Sequence, residues 1–190
     1  MFYEIASKFV RIVLNIFIFF RAYGKENIPK EGAFLLCSNH RSVMDPVLIA
    51  AGCRRRLTFM AKEELFENPV IGWFLRKLGA FSIKRGKGDV AAVMGTLKIL
   101  RRGDATLIFP EGTRVNDGER KQINSGIIRL AIQAKVPIVP AFVSKRTVTY
   151  GKPIDYSQYE DSVRDFDEMQ QLADSLMDNI YSLNGVKMLG

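Results

Sequence analysis

The stretch Ala33-Phe34-Leu35-Leu36-Cys37-Ser38-Asn39-His40-Arg41-Ser42-Val43-Met44-Asp45-Pro46 changes character twice within a short span. Ala33 to Cys37 is an apolar run of strand length, the pattern of a strand covered on both faces. Asp45-Pro46 opens a helix through Ala51, because proline is tolerated where first-turn amides have no intrahelical acceptor. Between them lies a polar loop that carries the only histidine of the chain. Strand, polar loop, helix is the unit of an open α/β sheet, and ligands collect at the carboxyl ends of such strands.

Outward from this unit the alternation continues. Leu57 to Ala61, Gly79 to Lys84, Ala105 to Phe109 and Pro137 to Val143 read as further strands, and Thr147 to Lys152 adds a sixth. Lys62 to Leu78 reads as helix broken near Pro69. Asp89 to Arg101, Ser125 to Ala134 and Asp165 to Leu183 carry apolar residues at helical spacing. The expected fold is α/β, a largely parallel sheet flanked by helices in one domain, without repeats or low-complexity linkers.

Three loops at strand ends carry chemistry. In the first, histidine is the side chain best suited to general base work near neutral pH, and Asp45 can orient one imidazole nitrogen while the other stays available. Taken alone, the pair equally fits a loop histidine beside an N-capping aspartate. The second is Phe109-Pro110-Glu111-Gly112-Thr113-Arg114. Gly112 permits a tight turn, and backbone amides, the Thr113 hydroxyl and the Arg114 guanidinium can converge on a phosphate. Glu111 can accept from a substrate hydroxyl or hold an arginine, and a plain polar turn is the alternative. The third is Lys84-Arg85-Gly86-Lys87-Gly88 before a helix, an anion site by side-chain charge and by free amides, or a solvated basic loop. Val136 to Phe142 is strongly apolar, a core strand or the wall of an apolar channel.

Composition narrows the partners. The 190 residues suit one domain with a sizeable core, and the formal net charge of +8 points to an anionic partner. No nucleic-acid reader motif is present, and the cations gather beside glycines near the candidate site. Two cysteines are too few for a disulfide framework, and Cys37 reads as a small buried hydrophobe. One histidine and no Cys/His spacing give no zinc site. Residues 1–23 are rich in Phe, Ile and Val but interrupted by Lys8, Arg11, Asn15 and Arg21. The uninterrupted run Ile16 to Phe20 is far short of the ~20 residues a spanning helix needs. The first reading is an interfacial amphipathic helix, with a packed core helix and a span as the alternatives. In Asn68 to Leu78, Trp73 and Phe74 beside Arg76 and Lys77 have the same interfacial chemistry.

Four motifs occur in order: Asn39-His40 with Asp45 five positions on, a Gly-x-Phe-x-Ile-x-Arg strand ending at Arg85, Phe109 to Arg114, and Val136 to Pro140. The set, spanning about Asn27 to Ile154, resembles the glycerolipid acyltransferases, specifically their 1-acylglycerol-3-phosphate (lysophosphatidate) acyltransferase branch. The resemblance implies an enzyme that moves a fatty acyl group from acyl-CoA or acyl carrier protein to the 2-hydroxyl of 1-acyl-sn-glycerol 3-phosphate, forming phosphatidate in phospholipid biosynthesis. It implies His40 as base and Asp45 as its orienting partner. Arg85, Glu111, Gly112, Thr113 and Arg114 are implied as residues that hold the acceptor. No metal and no tightly bound cofactor are implied. The implied organisation is a membrane-associated helix over 1–23 and an acyltransferase domain over 24–190, held at the cytoplasmic face of the cell membrane as a peripheral or monotopic protein. The sequence departs from the family at Val115, where serine is common, and at Ile123-Asn124-Ser125, where lysines are common.

Overall fold

A computed structural model describes residues 19–77, 79–83, 88–116, 119, 121, 123–160 and 165–185. Strands form where the apolar runs lie: β1 (Arg21–Tyr23), β2 (Leu35–Ser38), β3 (Leu57–Lys62), β4 (Ala80–Ile83), β5 (Ala105–Ile108), β6 (Ile138–Val143) and β7 (Thr147–Tyr150). Helices α1 (Asp45–Gly52), α2 (Glu64–Glu67), α3 (Pro69–Lys77), α4 (Gly88–Leu100), α5 (Gly126–Ala134) and α6 (Phe166–Ser182) connect or follow them. The sheet order is β1-β7-β6-β2-β5-β3-β4. The five strands from β6 to β4 are mutually parallel, and β7 joins β6 antiparallel with β1 parallel to β7.

Successive side chains of a buried strand serve opposite faces. Leu36 joins a core with Leu48, Ile49 and Tyr150 on the α1 side. Leu35 and Cys37 join the other core, formed with Leu97 of α4, Ile128 of α5 and Met169, Leu176 and Ile180 of α6. Both cores are fully closed at β2, where Leu35, Leu36 and Cys37 have no exposure. Truncating a leucine there to alanine is expected to cost about 2–5 kcal/mol. Burial pushes the Cys37 thiol well above its usual range, consistent with an inert packing residue.

One sequence expectation needs correction. The N-terminal helix was expected to run through residue 23, but Arg21–Tyr23 pair with Thr147, Val148 and Thr149 as an edge strand. The exposed edge of β7 offers backbone hydrogen bonds there, and these override an apolar pattern that favours a helix by side-chain periodicity alone. The remainder of that segment, residues 1–18, lies outside the described residues. The sheet is largely parallel, as the sequence implies, and turns antiparallel at one end because only three residues separate β6 from β7. A connection of that length makes a hairpin, whereas a parallel return needs a crossover. Among the described residues no helix is long and apolar enough to cross a membrane.

Candidate active site

Adjacent parallel strands deliver their loops to the same edge of the sheet. β2 pairs with β5 on one side (Cys37 with Ile108) and with β6 on the other (Ser38 with Ala141). The loop after β2 carries His40, and the loop after β5 carries Phe109 to Arg114, so the two motifs lie side by side although some seventy residues separate them. β4 ends at the same edge, two strands beyond β5. Lys84 to Lys87, and with them Arg85, lie outside the described residues.

The His40 loop is held from several directions. Asn39, with no exposure, holds one residue of β6 with both ends of its amide: Oδ1 accepts from the Val143 N–H at 2.8 Å and Nδ2 donates to the Val143 carbonyl at 3.0 Å, while Oδ1 also accepts from the Ser38 hydroxyl at 3.3 Å. Asp45, 3% exposed at the head of α1, turns Oδ2 back into the loop. It accepts from the Arg41 N–H at 2.6 Å and the Ser42 N–H at 2.7 Å, and lies 3.0 Å from Nδ1 of His40. An acceptor at Nδ1 fixes the proton on that nitrogen and leaves the lone pair on Nε2. The imidazole then stacks on Phe109, centroids 4.0 Å apart and planes within 18°. Ring orientation is therefore set by Asp45 at an edge and Phe109 at a face.

The second loop is stitched to the first at two points. The His40 N–H donates to Glu111 Oε2 at 2.8 Å, and the His40 carbonyl accepts from the Val115 N–H at 2.9 Å. Glu111 is 3% exposed, and its other oxygen accepts from the Tyr181 hydroxyl of α6 at 2.7 Å. Sequence reasoning grouped Glu111 with the acceptor-binding residues. The structure turns both of its oxygens inward, one onto the His40 backbone N–H and the other onto the Tyr181 hydroxyl of α6. Gly112 sits at φ +67° with nothing near its Cβ direction, so conformation rather than crowding selects glycine at the turn that its N–H closes onto the Phe109 carbonyl. Thr113 and Arg114 are exposed at the tip.

A cavity of about 280 Å³ lies along this loop, lined among others by Met60, Ile108, Phe109, Ile127 and Leu130. Phe109 thus faces both the imidazole and an apolar recess. Val136 to Phe142, the other candidate wall, does not line it; Val139 and Ala141 serve one core and Ile138 and Phe142 the other. Tyr181 and Phe109's stacking role were not legible locally: a tyrosine late in an amphipathic helix and a phenylalanine ending a strand both read as packing residues.

A family model described as Acyltransferase matches residues 19–144. A 1-acyl-sn-glycerol-3-phosphate acyltransferase of Bacillus subtilis is 31% identical over 140 residues, which cover 73% of this chain and 69% of that one. A lyso-ornithine lipid O-acyltransferase of Pseudomonas aeruginosa is 35% identical over 113 residues, 59% of this chain and 43% of the relative. The crystal structure of a 1-acyl-sn-glycerophosphate acyltransferase from Thermotoga maritima superposes with a TM-score of 0.72 at 22% identity, covering 98% of this chain and 81% of that one, and supports the fold. The matched family span encloses β2, β5, β6 and both stitched loops, and the chain belongs to the Acyltransferase family.

Proposed function

We propose that the chain transfers a fatty acyl group from an acyl thioester, acyl-CoA or acyl carrier protein, to the 2-hydroxyl of 1-acyl-sn-glycerol 3-phosphate. The observation that carries this reading is the His40–Asp45 pair, with Nδ1 engaged at 3.0 Å. His40 Nε2 takes the hydroxyl proton as the oxygen attacks the thioester carbonyl. The tetrahedral intermediate collapses, the C–S bond breaks, and the imidazolium returns its proton to the leaving thiolate. The products are phosphatidate and a free thiol. The substrate brings its own nucleophile, so the step calls for no resident cofactor; orientation and base catalysis supply the rate. Arg85, Thr113 and Arg114, with the Gly112 turn, are assigned to the acceptor phosphate. The apolar recess beside Phe109 is assigned to an acyl chain.

The proposed setting is the cytoplasmic face of the cell membrane, with the chain held at the surface. Support comes from α3, where Val70 is 74% and Trp73 53% exposed, with Arg76 and Lys77 in the last turn. Such a mixture suits the headgroup boundary. Because β1 begins at Arg21, the test of an N-terminal anchor is deletion of residues 1–18, which spares the sheet. Loss of the protein from the membrane fraction is the expected result; unchanged retention would assign binding to the α3 surface.

The reaction is tested with purified chain, both donors, and a series of acceptors. Turnover of lysophosphatidate well above that of monoacylglycerol is expected. Equal rates with and without the phosphate would remove the proposed role of the arginines. A clear preference for a lyso-ornithine lipid, the acceptor class named for the Pseudomonas relative, would redirect the acceptor while keeping the chemistry.

A further inference from the structure

We propose that Tyr181 is a positioning residue for the reaction: through Glu111 it fixes the backbone at His40, so that the C-terminal helix completes the active site. The inference rests on His40 acting as the base. Glu111 is a buried carboxylate with one oxygen on the His40 N–H (2.8 Å) and the other on the Tyr181 hydroxyl (2.7 Å). Hydrogen bonds to a carboxylate are stronger than neutral ones, and they are worth more still in a site shielded from water. One carboxylate therefore joins the loop after β2, the loop after β5 and α6.

A second tie reaches the same loop from the same tyrosine. The Arg41 guanidinium, next to His40 in the chain, lies 5.9 Å from the centre of the Tyr181 ring and 5.4 Å from that of Phe142. Tyr181 itself stands edge-on to Phe142 at 5.8 Å, and its neighbour Ile180 is fully buried. The tyrosine is thus anchored by the core on one side and grips the catalytic loop with its hydroxyl and ring face on the other. Burial, then the hydrogen bond to Glu111 and its charge, push the Tyr181 hydroxyl up to about 12 against the opposing pull of Arg41. The group remains a donor throughout the neutral range.

The chain's single histidine makes the test clean, because ¹⁵N-histidine labelling of the full chain yields one backbone amide signal. In Tyr181→Phe, which keeps the ring, the His40 amide proton moves upfield, the direction of a weakened hydrogen bond. Glu111→Gln moves it the same way. Tyr181→Phe lowers kcat about tenfold, the weight of one charge-assisted hydrogen bond, with KM for both substrates unchanged. In the Glu111→Gln background the same substitution costs less, because the two residues act in series. An unmoved amide signal with wild-type kcat in Tyr181→Phe overturns the proposal, and so does a loss confined to thermal stability. His40→Ala distinguishes the two levels: retained turnover there sinks the base assignment, whereas the amide signal in Tyr181→Phe still decides whether Tyr181 holds the loop.

Discussion

The two loops at the edge of the sheet are neighbours built on opposite plans. The His40 loop is tied down at nearly every residue: Asn39 to β6, His40 to Asp45, Glu111 and Val115, Arg41 and Ser42 to Asp45. The tip of the other loop, Gly112 to Arg114, turns outward to solvent. The difference follows the two tasks proposed for them. A base must be oriented before the substrate arrives, since small errors in attack geometry cost large factors in rate. An arginine that grips a phosphate carries its strongest interaction to the ligand, and its exposed position lets it reach.

The contrast can be broken from either side. The largest effect is expected from Asp45→Asn, which keeps the shape of the loop but removes the charge that fixes the imidazole; kcat should fall about 10²–10⁴-fold. Steady-state kinetics with a single acceptor measures it, and a near wild-type kcat would show that Asp45 is only a helix cap. Arg114→Ala should act on the other axis, raising KM for the phosphate-bearing acceptor about ten- to a hundredfold with little change in melting temperature. A fall in kcat alone would place Arg114 in the chemical step instead.

Asn39→Ala sharpens the comparison through stability. It leaves a buried N–H and a buried carbonyl of Val143 without their partner, at a cost of about 1–3 kcal/mol for each group so orphaned. Denaturant melts would report it, and a loss below about 0.5 kcal/mol would mean that water replaces the amide. The smallest effect concerns pH. The folded state holds the Tyr181 proton more tightly than the unfolded chain does, with the group raised from 10.0 to about 12. Its contribution is therefore present below pH 10 and lost as pH rises through about 12. The stability gap between wild type and Tyr181→Phe should narrow across that window, and a gap that widened there would reverse the sign.

The elements most legible in the sequence are those whose signal is local. Ala33 to Cys37 announced a doubly covered strand, and Leu35–Ser38 is one, central in the sheet. Pro69 divided the helical stretch into α2 and α3, and Asp165 caps α6 through the Glu168 N–H. The His40–Asp45 contact was legible because the five-residue spacing lets a residue at a helix start reach back over its own loop. What escaped was non-local. β1 exists only because β7 offers an edge to it, and neither segment signals the other. Glu111 looked like a substrate ligand because its inward partners come from residue 40 and residue 181, far apart in the chain. Tyr181 carried no signal beyond helical amphipathicity.

The central claim is that His40 is the base for an acyl transfer. The direct measurement is the rate at which purified His40→Ala releases free thiol from the acyl thioester in the presence of lysophosphatidate, alongside wild type. The account predicts a loss of about 10²–10⁴-fold, the usual weight of a general base, with the variant folded as judged by its melting curve. Wild-type thiol release by folded His40→Ala would contradict it.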